Sequence, residues 1–393
     1  MFKEVRNIWQ FILNRKHKWA LRFMTLWICL ALFHPFIAND LPLVAKTNKG
    51  ICSPIFKEIF SGKTLNNDSY DWQLRPLIPY SSQSIDLENA NYKSPFSVQN
   101  KSLRDRHWLG TDKLGRDTLA GLLYGSYFAL IIGLGAALLS VLIGVSIGLF
   151  AGYFGNSRLK LNLIQLILVL ISLFILVYSF STGFFFGFGN DLLLEVGLLL
   201  IVLSLVYSLF YFTSKLNISK YTIPVDNITL RVLEVFKSIP KLFFILCFIV
   251  VFTNSSVYNI VFIIALVSWP ISCRFTRAET LSAVQDDYVT SARILALPPY
   301  KILLEHILPN VISPALVVFA FSVSSAVVLE ATLSFLGLGL SVEEVTWGSM
   351  LSEVRTNFKA WWLIIFPGLM LFLVVSSMNS ISNSINTYLK KMD

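Results

Sequence analysis

The stretch 286–310, DDYVTSARILALPPYKILLEHILPN, is polar and rich in helix formers, and two adjacent prolines interrupt it near its middle. It lies between two long apolar runs, residues 257–273 and 311–329. A helix that spans a bilayer needs about 20 mostly apolar residues, so we expect a membrane span on each side. The polar stretch would then be a loop that joins two spans on one face of the membrane.

The composition of the whole chain is typical of an integral membrane protein. Of its 393 residues, 55% are hydrophobic and 14% are charged, whereas about a quarter of the residues of a soluble protein are charged. Backbone N–H and C=O groups in lipid must be paired within the spanning segment, which makes helices the expected structure. We interpret the four cysteines as small hydrophobic residues and not as a disulfide framework.

The order of the apolar runs predicts an all-α, polytopic transmembrane helix bundle of about eight spans, with both termini in the cytoplasm. Residues 1–38 hold a basic N-terminus and the first span, 39–118 form an extracytoplasmic loop, and 119–393 hold the other spans. Two of these form a hairpin at about 158–220, and the last span ends near Met378. All short basic turns then lie on the cytoplasmic side, as the positive-inside rule predicts.

The predicted spans contain almost no ionisable side chain, which disfavours a secondary transporter. Transporters driven by protons or ions usually keep carboxylates, Lys or His at membrane depth, because those groups bind the coupling ion. The sequence shows no phosphate-binding loop, nucleophile motif or metal-ligand cluster. We therefore expect no catalytic residue, metal or cofactor on this chain. Uphill transport would take its energy from another chain, while a secondary transporter, a passive channel or a membrane scaffold stays open as an alternative.

The stretch 286–310 is a candidate for receiving that energy. Tyr288, Ala292 and Leu295 follow i, i+4, i+7 spacing, which predicts one shared helix face. Pro298 and Pro299 stop this helix, and a second helix follows that leads into the membrane. A helix, a turn and a helix would present a knob for the groove of a soluble motor. From periodicity alone, an ordinary amphipathic loop remains the alternative.

The same stretch resembles the EAA coupling loop of ABC importer permeases. That pattern reads Glu-Ala-Ala, three residues, Gly, nine residues, then a hydrophobic residue, any residue and Leu-Pro. The residues of this chain that carry the resemblance, with their neighbours, are Tyr288, Thr290, Ser291, Ala292, Arg293, Ala296, His306, Leu308 and Pro309. Thr290 replaces the glutamate and Ser291 an alanine. Ala296 replaces the glycine, and we expect that change to be mild because a helix accepts Ala more readily than Gly.

Further segments resemble C-type subunits of the oligopeptide/dipeptide/nickel permease family. They are HWLGTDKLGRD at 107–117, VLEVFKSIPKL at 232–242, EATLSFLGLGL at 330–340 and WWLIIFPGL at 361–369. The ending His-x-Leu-Pro-Asn, residues 306–310, is also typical of this family. More specifically, FIANDLPLV and SPIFKE near the N-terminus resemble the microcin C-type branch of the peptide permeases.

The resemblance implies a multi-pass subunit of the bacterial cytoplasmic (inner) membrane, with a six-span core and an inserted hairpin. Its partners would be membrane lipid, a second permease subunit (as a heterodimer), two ATPase subunits that hold ATP and Mg, and an extracytoplasmic substrate-binding protein, with no nucleic acid. Glu330 and Ser334 are candidate residues of the substrate pathway, although Glu330 also fits a helix-end carboxylate at the headgroup level. Peptides, nickel chelates and peptide-like antibiotics are all carried by this architecture.

Overall fold

The computed structural model describes residues 18–47, 50–61, 71–99, 101–102, 104–172, 175, 204, 206, 208–209, 211, 213, 219–251, 256–341 and 343–389. The basic residues 1–17 and most of the predicted hairpin at 158–220 lie outside them. The hairpin and the cytoplasmic position of both termini therefore stay predictions.

Helices account for most of the described chain. They are α1 (Lys18–Ile37), α2 (Pro54–Ser61), α3 (Thr118–Phe154), α4 (Leu163–Ser172), α5 (Val225–Ser238), α6 (Lys241–Val251), α7 (Val257–Ala283), α8 (Asp287–Ile294), α9 (Leu308–Phe335), α10 (Trp347–Glu353) and α11 (Trp362–Leu389). A helical turn, Pro299–Lys301, and a π-helical segment, Ile302–Ile307, lead into α9 without a break.

Five helices of the described residues are long and apolar enough to cross a membrane: α1, α3, α7, α9 with the helical residues before it, and α11. This confirms a polytopic helical membrane protein. The count of eight spans stays a prediction, because α4 and α6 are apolar but shorter. The helix that holds the last span continues to Leu389 through a run of Ser and Asn residues, and the prediction that the span itself ends near Met378 stays a prediction.

The predicted extracytoplasmic loop contains β-structure, so the expectation of an all-α chain is wrong in this segment. Strands β1 (Val44–Thr47), β2 (Gly50–Cys52) and β3 (Trp72–Leu74) form an antiparallel sheet in the order β2-β1-β3. Ala45 pairs with Cys52 on one side and with Gln73 on the other. A second antiparallel pair joins β4 (Lys160–Asn162) to β5 (Lys220–Thr222). These strands are only three or four residues long, too short for periodicity to reveal them.

Contacts divide the chain into two compact units, each described here by itself. The first comprises residues 1–146, 240–276 and 308–393. Within it, α9 packs against α10 and α11, and α11 packs against α1. The core of this unit contains Trp27 and Trp347, whose ring centroids are 6.3 Å apart.

Glycines in α3 allow close contact between helices of the first unit. A Cβ on Gly125 would lie 2.6 Å from Cδ1 of Trp347, and a Cβ on Gly133 would lie 2.6 Å from Cγ2 of Val327. The indole N–H of Trp347 donates to the carbonyl of Leu122 at 3.0 Å. Small residues are a common means of close helix packing in membranes, where burial of apolar surface does not drive association.

The second unit comprises residues 147–239 and 277–307. It contains the C-terminal part of α3, which ends just before Gly155, and the β4–β5 pair. Gly155 has φ of 56°, a left-handed conformation that suits glycine after a helix end. The unit also contains α5, α8 and the π-helical segment, and therefore most of the predicted coupling loop.

Candidate functional site

Helix α8 forms the first half of the predicted coupling loop, and it ends in a Schellman motif. The N–H of Leu297 donates to the carbonyl of Ala292 at 3.2 Å, and that of Ala296 donates to Arg293 at 2.9 Å. Ala296 has φ of 54°, in the left-handed region that favours glycine at this position. We expected the replacement of Gly by Ala at position 296 to have a mild effect, because the interior of a helix accepts Ala. That reasoning is wrong, because Ala296 lies just beyond the helix end, where a side chain is unfavourable.

The inward and outward faces of α8 differ from the predicted ones. Val289 is fully buried and Ala292 is only 3% exposed, whereas Leu295 is 73% exposed and Tyr288 is partly exposed. Ala292 and Leu295 therefore do not share a face, because the chain leaves helical geometry at Leu295. The periodicity alone did not indicate where the helix ends.

Four apolar side chains around the turn after α8 are exposed: Ile294, Leu295, Tyr300 and Leu304. We call them the coupling-loop patch. Ile294 is 80% exposed and ends α8, while Tyr300 and Leu304 lie in the helical residues that lead into α9. Exposed apolar patches of this kind mark surfaces for interaction with other proteins. Thr290 and Ser291 are exposed as well, so both remain accessible to a partner.

An aromatic ring holds the C-terminal turn of α8 against the end of α3. The guanidinium of Arg293 lies over the ring of Tyr153, and the guanidinium of Arg158 lies 5.9 Å from the centre of the same ring. Arg158 Nη1 also donates to the carbonyl of Tyr153 at 2.5 Å. Burial, and then the charge of Arg293, lower the pKa of Arg158. The attraction of each guanidinium to the electron-rich ring offsets part of the repulsion between the two cations.

A salt bridge joins two further helices in the second unit. Arg277, in α7, forms a two-pronged contact with the carboxylate of Asp226 in the first turn of α5, with Nη2–Oδ2 at 2.7 Å. Asp226 also lies at the helix N-terminus, where a negative charge is favoured. In α3, Gly152 lies so close to Thr280 that a Cβ would be 2.6 Å from the Cβ of Thr280. The ends of α3 and α7 are therefore packed without a gap.

The last three matching residues of the coupling loop lie at the entry to α9. His306 is partly buried in the π-helical segment, and Leu308 and Pro309 are the first two residues of α9. Pro309 has no N–H to donate to the preceding turn. The wider π-helical turn lies directly before it, with Ile302 and Ile307 buried. The predicted helix–turn–helix is confirmed, and the roles of its residues stay predictions.

The two candidate pathway residues lie together in the first unit. Ser334 Oγ donates to Glu330 Oε1 at 2.8 Å. Ser334 lines a cavity of about 240 Å³ together with Thr346 and Glu353, whereas Glu330 lies beneath the lining and is 1% exposed. Glu330 Oε2 has no hydrogen-bond partner among the described residues. Glu330 is thus buried, and α9 continues beyond it to Phe335. Its role in the substrate pathway and the alternative of a helix-end carboxylate at the headgroup level both stay predictions.

Charged residues of the GTDKLGRD turn border this cavity. Arg116 Nε donates to Asp112 Oδ2 at 2.6 Å, and Arg116 Nη2 lies 3.6 Å from Glu353 Oε1. Burial raises the pKa of Glu353 to about 7, with a further contribution from the charge of Asp112. The cavity therefore has charged groups along a lining that also contains apolar side chains, and the raised pKa of Glu353 lies near neutral pH.

A buried histidine lies between two carboxylates in the segment that precedes α3. His107 contacts Asp117 Oδ2 through Nδ1 at 2.8 Å and Asp86 Oδ2 through Nε2 at 3.0 Å. Burial lowers the pKa of His107, but these two hydrogen bonds outweigh it and raise the pKa above its usual value. Sequence reasoning missed this cluster. The spacing of His107 and Asp117 within one motif gave a weak signal, and nothing in the sequence indicated Asp86.

Comparison with known proteins identifies the class of this membrane protein. Residues 219–391 match the family described as "Binding-protein-dependent transport system inner membrane component". The chain is 27% identical over 275 residues to a di/tripeptide transport system permease protein (DppC) of Pseudomonas aeruginosa, which covers 70% of this chain and 68% of that relative.

Two other relatives extend this similarity. A peptidoglycan transport system permease protein (YejE) of Agrobacterium fabrum is 25% identical over 407 residues, covering 95% of this chain and 88% of the relative. A glutathione transport system permease protein (GsiD) of Pectobacterium atrosepticum is 26% identical over 305 residues, covering 75% and 79%.

These matches agree with the predicted class, the inner-membrane permease subunits of ABC importers: the family match covers residues 219–391, and the relatives are 25–27% identical. The relatives named here are permease proteins of di/tripeptide, peptidoglycan and glutathione transport systems, which is the kind of protein that the motifs around 286–310 and 330–340 predicted.

Proposed function

We propose that the chain forms half of the translocation pathway for peptides or peptide-like solutes, and that residues 286–310 couple this pathway to separate ATPase subunits. The observation that carries the coupling proposal is the contrast between the two sides of α8. Its inner side is fixed by Val289, Ala292 and the contact of Arg293 with Tyr153. Beside it, the coupling-loop patch exposes four apolar side chains to a partner.

A docked partner could pass motion through this arrangement because α8 is short and tightly anchored. A force on Leu295 acts on the end of α3 through the Arg293–Tyr153 contact. It also acts on α9, because the helical residues from Pro299 onward continue into α9 without a break. ATP and Mg would be held by two ATPase subunits, and this chain would contribute no catalytic residue.

The remaining partners follow from the same class of protein. Since the relatives are components of binding-protein-dependent systems, we propose a second permease subunit that completes the pathway as a heterodimer. An extracytoplasmic substrate-binding protein would deliver the solute. The extracytoplasmic segment with its three-stranded sheet is long enough to contribute to that contact.

Peptides are the substrate class that we favour. The relatives are named for di/tripeptide, glutathione, oligopeptide and peptidoglycan transport. These solutes differ in side chains and share amide bonds, and glutathione is itself a small peptide. The match that covers 95% of this chain is to the peptidoglycan permease, which makes a peptide derived from the cell wall a reasonable first substrate to test.

The coupling proposal is tested by copurification of the ATPase with this chain. We would co-express the chain with its presumed permease and ATPase partners and compare wild type with the double variant Ile294→Asp and Leu295→Asp. Both side chains are exposed, so the variant should fold and insert. Val235→Asp, at an exposed apolar position in α5, is the matched control.

We expect the ATPase to copurify with wild type and with the control, and to be lost from the double variant. Equal retention by all three proteins would exclude the coupling-loop patch as the docking surface. Ion conductance by the purified chain alone in planar bilayers would instead favour the passive channel.

A further inference from the structure

The last helix, α11, has two chemically different halves. Its first half, from Trp362 to Val375, is almost entirely apolar, and its second half reads SSMNSISNSINT from residue 376 to 387. Amides and hydroxyls in such number are uncommon in a membrane-spanning helix. The helix continues through these residues to Leu389.

The asparagines of this half follow one face of the helix. Ser376, Asn379, Asn383 and Asn386 recur at spacings of three, four and three residues, which is the repeat of a single helical stripe. All four are partly or fully exposed. We call them the amide stripe. Phe372 continues the same face toward the start of the helix and is exposed as well.

The opposite face of α11 is buried in the first unit. Val374, Met378 and Ile385 belong to its hydrophobic clusters, and α11 packs against α1 and α9. Ser382 Oγ donates to the carbonyl of Val317, in α9, at 3.0 Å. These contacts fix the rotation of α11, so the amide stripe is held away from the core of the chain.

A cavity lies beside the N-terminal end of the amide stripe. It measures about 390 Å³ and is lined by Val328, Leu371, Phe372, Val375, Ser376 and Asn379. Val328 belongs to α9 and the other lining residues belong to α11. This cavity is open to the surface and brings two polar side chains of the stripe beside apolar ones.

The depth of the stripe makes contact with lipid unfavourable. With a rise of about 1.5 Å per residue, Ser376 lies about 21 Å along the axis from Trp362, and Asn379 about 26 Å. The hydrocarbon core is about 30 Å thick, so both residues lie at membrane depth if Trp362 marks the outer interface. Of the three asparagines, only Asn379 lies within this depth, because Asn383 and Asn386 are about 32 and 36 Å along the axis from Trp362. An unpaired amide in lipid is strongly disfavoured.

We propose that the amide stripe of α11 lines the translocation pathway and hydrogen-bonds the backbone of the peptide in transit. A carboxamide offers both a donor and an acceptor, and a peptide bond offers the same pair. The stripe carries no charge and would contact the peptide backbone and not its side chains. This suits a class of transporters whose members carry different peptides. The substrate class in this inference rests on the proposed function. The positions of the stripe residues come from the structure of α11.

The test measures the reactivity of single cysteines in the assembled importer. The four natural cysteines are first replaced by serine. Ser376→Cys, Asn379→Cys and Asn383→Cys are then made one at a time in the complex with the second permease and the ATPase subunits, in lipid nanodiscs. Leu142→Cys, at an exposed apolar position in the middle of α3, is the matched control. Each protein is treated with a charged, membrane-impermeant methanethiosulfonate, with and without casein-derived peptides of two to six residues.

We expect the three stripe positions to react at least tenfold faster than Leu142→Cys, and the peptides to slow their labelling at least threefold. No labelling above the control would overturn the proposal. In that case, disulfide crosslinking of the same cysteines to the second permease would identify the stripe as a subunit interface. Fast labelling that peptides do not slow would overturn the peptide contact.

The outcome for the stripe is separable from that for the proposed function. Copurification of the ATPase with wild type reports on the importer assembly, and cysteine labelling reports on α11. An intact complex with unreactive stripe positions would leave the proposed function standing and remove only the present inference.

Discussion

The guanidinium of Arg293, in α8, lies 5.5 Å from the centre of the Tyr153 ring at the end of α3. Arg293 is therefore a link between the predicted docking helix and a long membrane helix. A partly desolvated cation–π contact contributes about 0.5–2 kcal/mol. The same ring also holds Arg158, so removal of the ring would leave two like charges close together.

The first prediction concerns this link. Tyr153→Leu should uncouple ATP hydrolysis from transport while the ATPase still copurifies, because the coupling-loop patch itself is unchanged. Tyr153→Phe keeps the aromatic ring and should retain most of the coupling. The measurement is the ratio of peptide uptake to ATP hydrolysis in proteoliposomes. An unchanged ratio in Tyr153→Leu would show that α8 acts on the membrane helices by another route.

The second prediction concerns the turn after α8. Ala296→Gly should stabilise the protein by about 0.5–1 kcal/mol, because Ala296 occupies a left-handed conformation that glycine adopts without steric cost. Ser291→Gly is the control, since it places glycine inside α8 and should destabilise by about 0.5–1 kcal/mol. The thermal unfolding midpoint in detergent distinguishes the two. A lower midpoint for Ala296→Gly would mean that the Ala296 side chain makes a contact that stabilises the protein by more than the left-handed backbone conformation destabilises it.

The third prediction concerns the dependence of stability on pH. The folded pKa of His107 is raised above its usual value of 6.5, so its stabilising contribution is complete below about pH 6.5 and is lost as pH rises through the raised pKa. The pKa of Glu353 is raised from 4.5 to about 7, and its protonated form is favoured in the folded state. Stability should therefore fall as pH rises from about pH 4.5 to pH 7 because of Glu353, and as pH rises above about pH 6.5 because of His107.

Thermal unfolding across this pH range checks the prediction. His107→Gln and Glu353→Gln should each flatten the dependence, and both together should flatten it further. Asp86 works in the opposite direction. Burial raises its pKa, but hydrogen bonds from Asn89, Lys101 and His107 outweigh burial and lower it well below its usual range. Its contribution is thus lost only in strong acid, and a midpoint that rises with pH above about pH 6 would contradict the assignment.

The fourth prediction concerns the close contact of α3 with Trp347. Gly125→Ala should destabilise the first unit by about 1–3 kcal/mol, because its Cβ would lie 2.6 Å from the indole ring. Gly368→Ala is a matched control within α11, where no atom lies within 4 Å of the added Cβ. It should be neutral or slightly stabilising, since alanine favours helix. Chemical unfolding of the purified protein measures both, and equal effects would show that the indole can shift without cost.

Much of the fold could be predicted because the apolar runs are long and their ends carry charge. The run 311–329 predicted the core of α9, and the two prolines after α8 predicted the break in the coupling loop. The strands around Ala45 could not be predicted, because pairs of three or four residues carry no periodic signal. The C-terminal end of α11 could not be read from the apolar run, because the helix continues through Ser and Asn residues that are not apolar.

The candidate site was predictable in position but not in detail. The spacing of the EAA-type pattern located α8 and the entry to α9. It could not show that Ala296 lies beyond the helix end, since that depends on which carbonyls the last N–H groups reach. Nor could it show that Asp86 reaches His107, because residues far apart along the chain meet only through tertiary packing.

The contact of Trp27 with Trp347 bears on how this chain could be shortened. The family match begins at residue 219, whereas Trp27 lies in the first helix and is fully buried. The start of the family match is thus not a boundary of packing. A protein trimmed to the matching part would leave Trp347 without its aromatic neighbour. The N-terminal helix is accordingly part of the cooperative folding unit and not a detachable anchor, and any minimal version of this permease has to retain it.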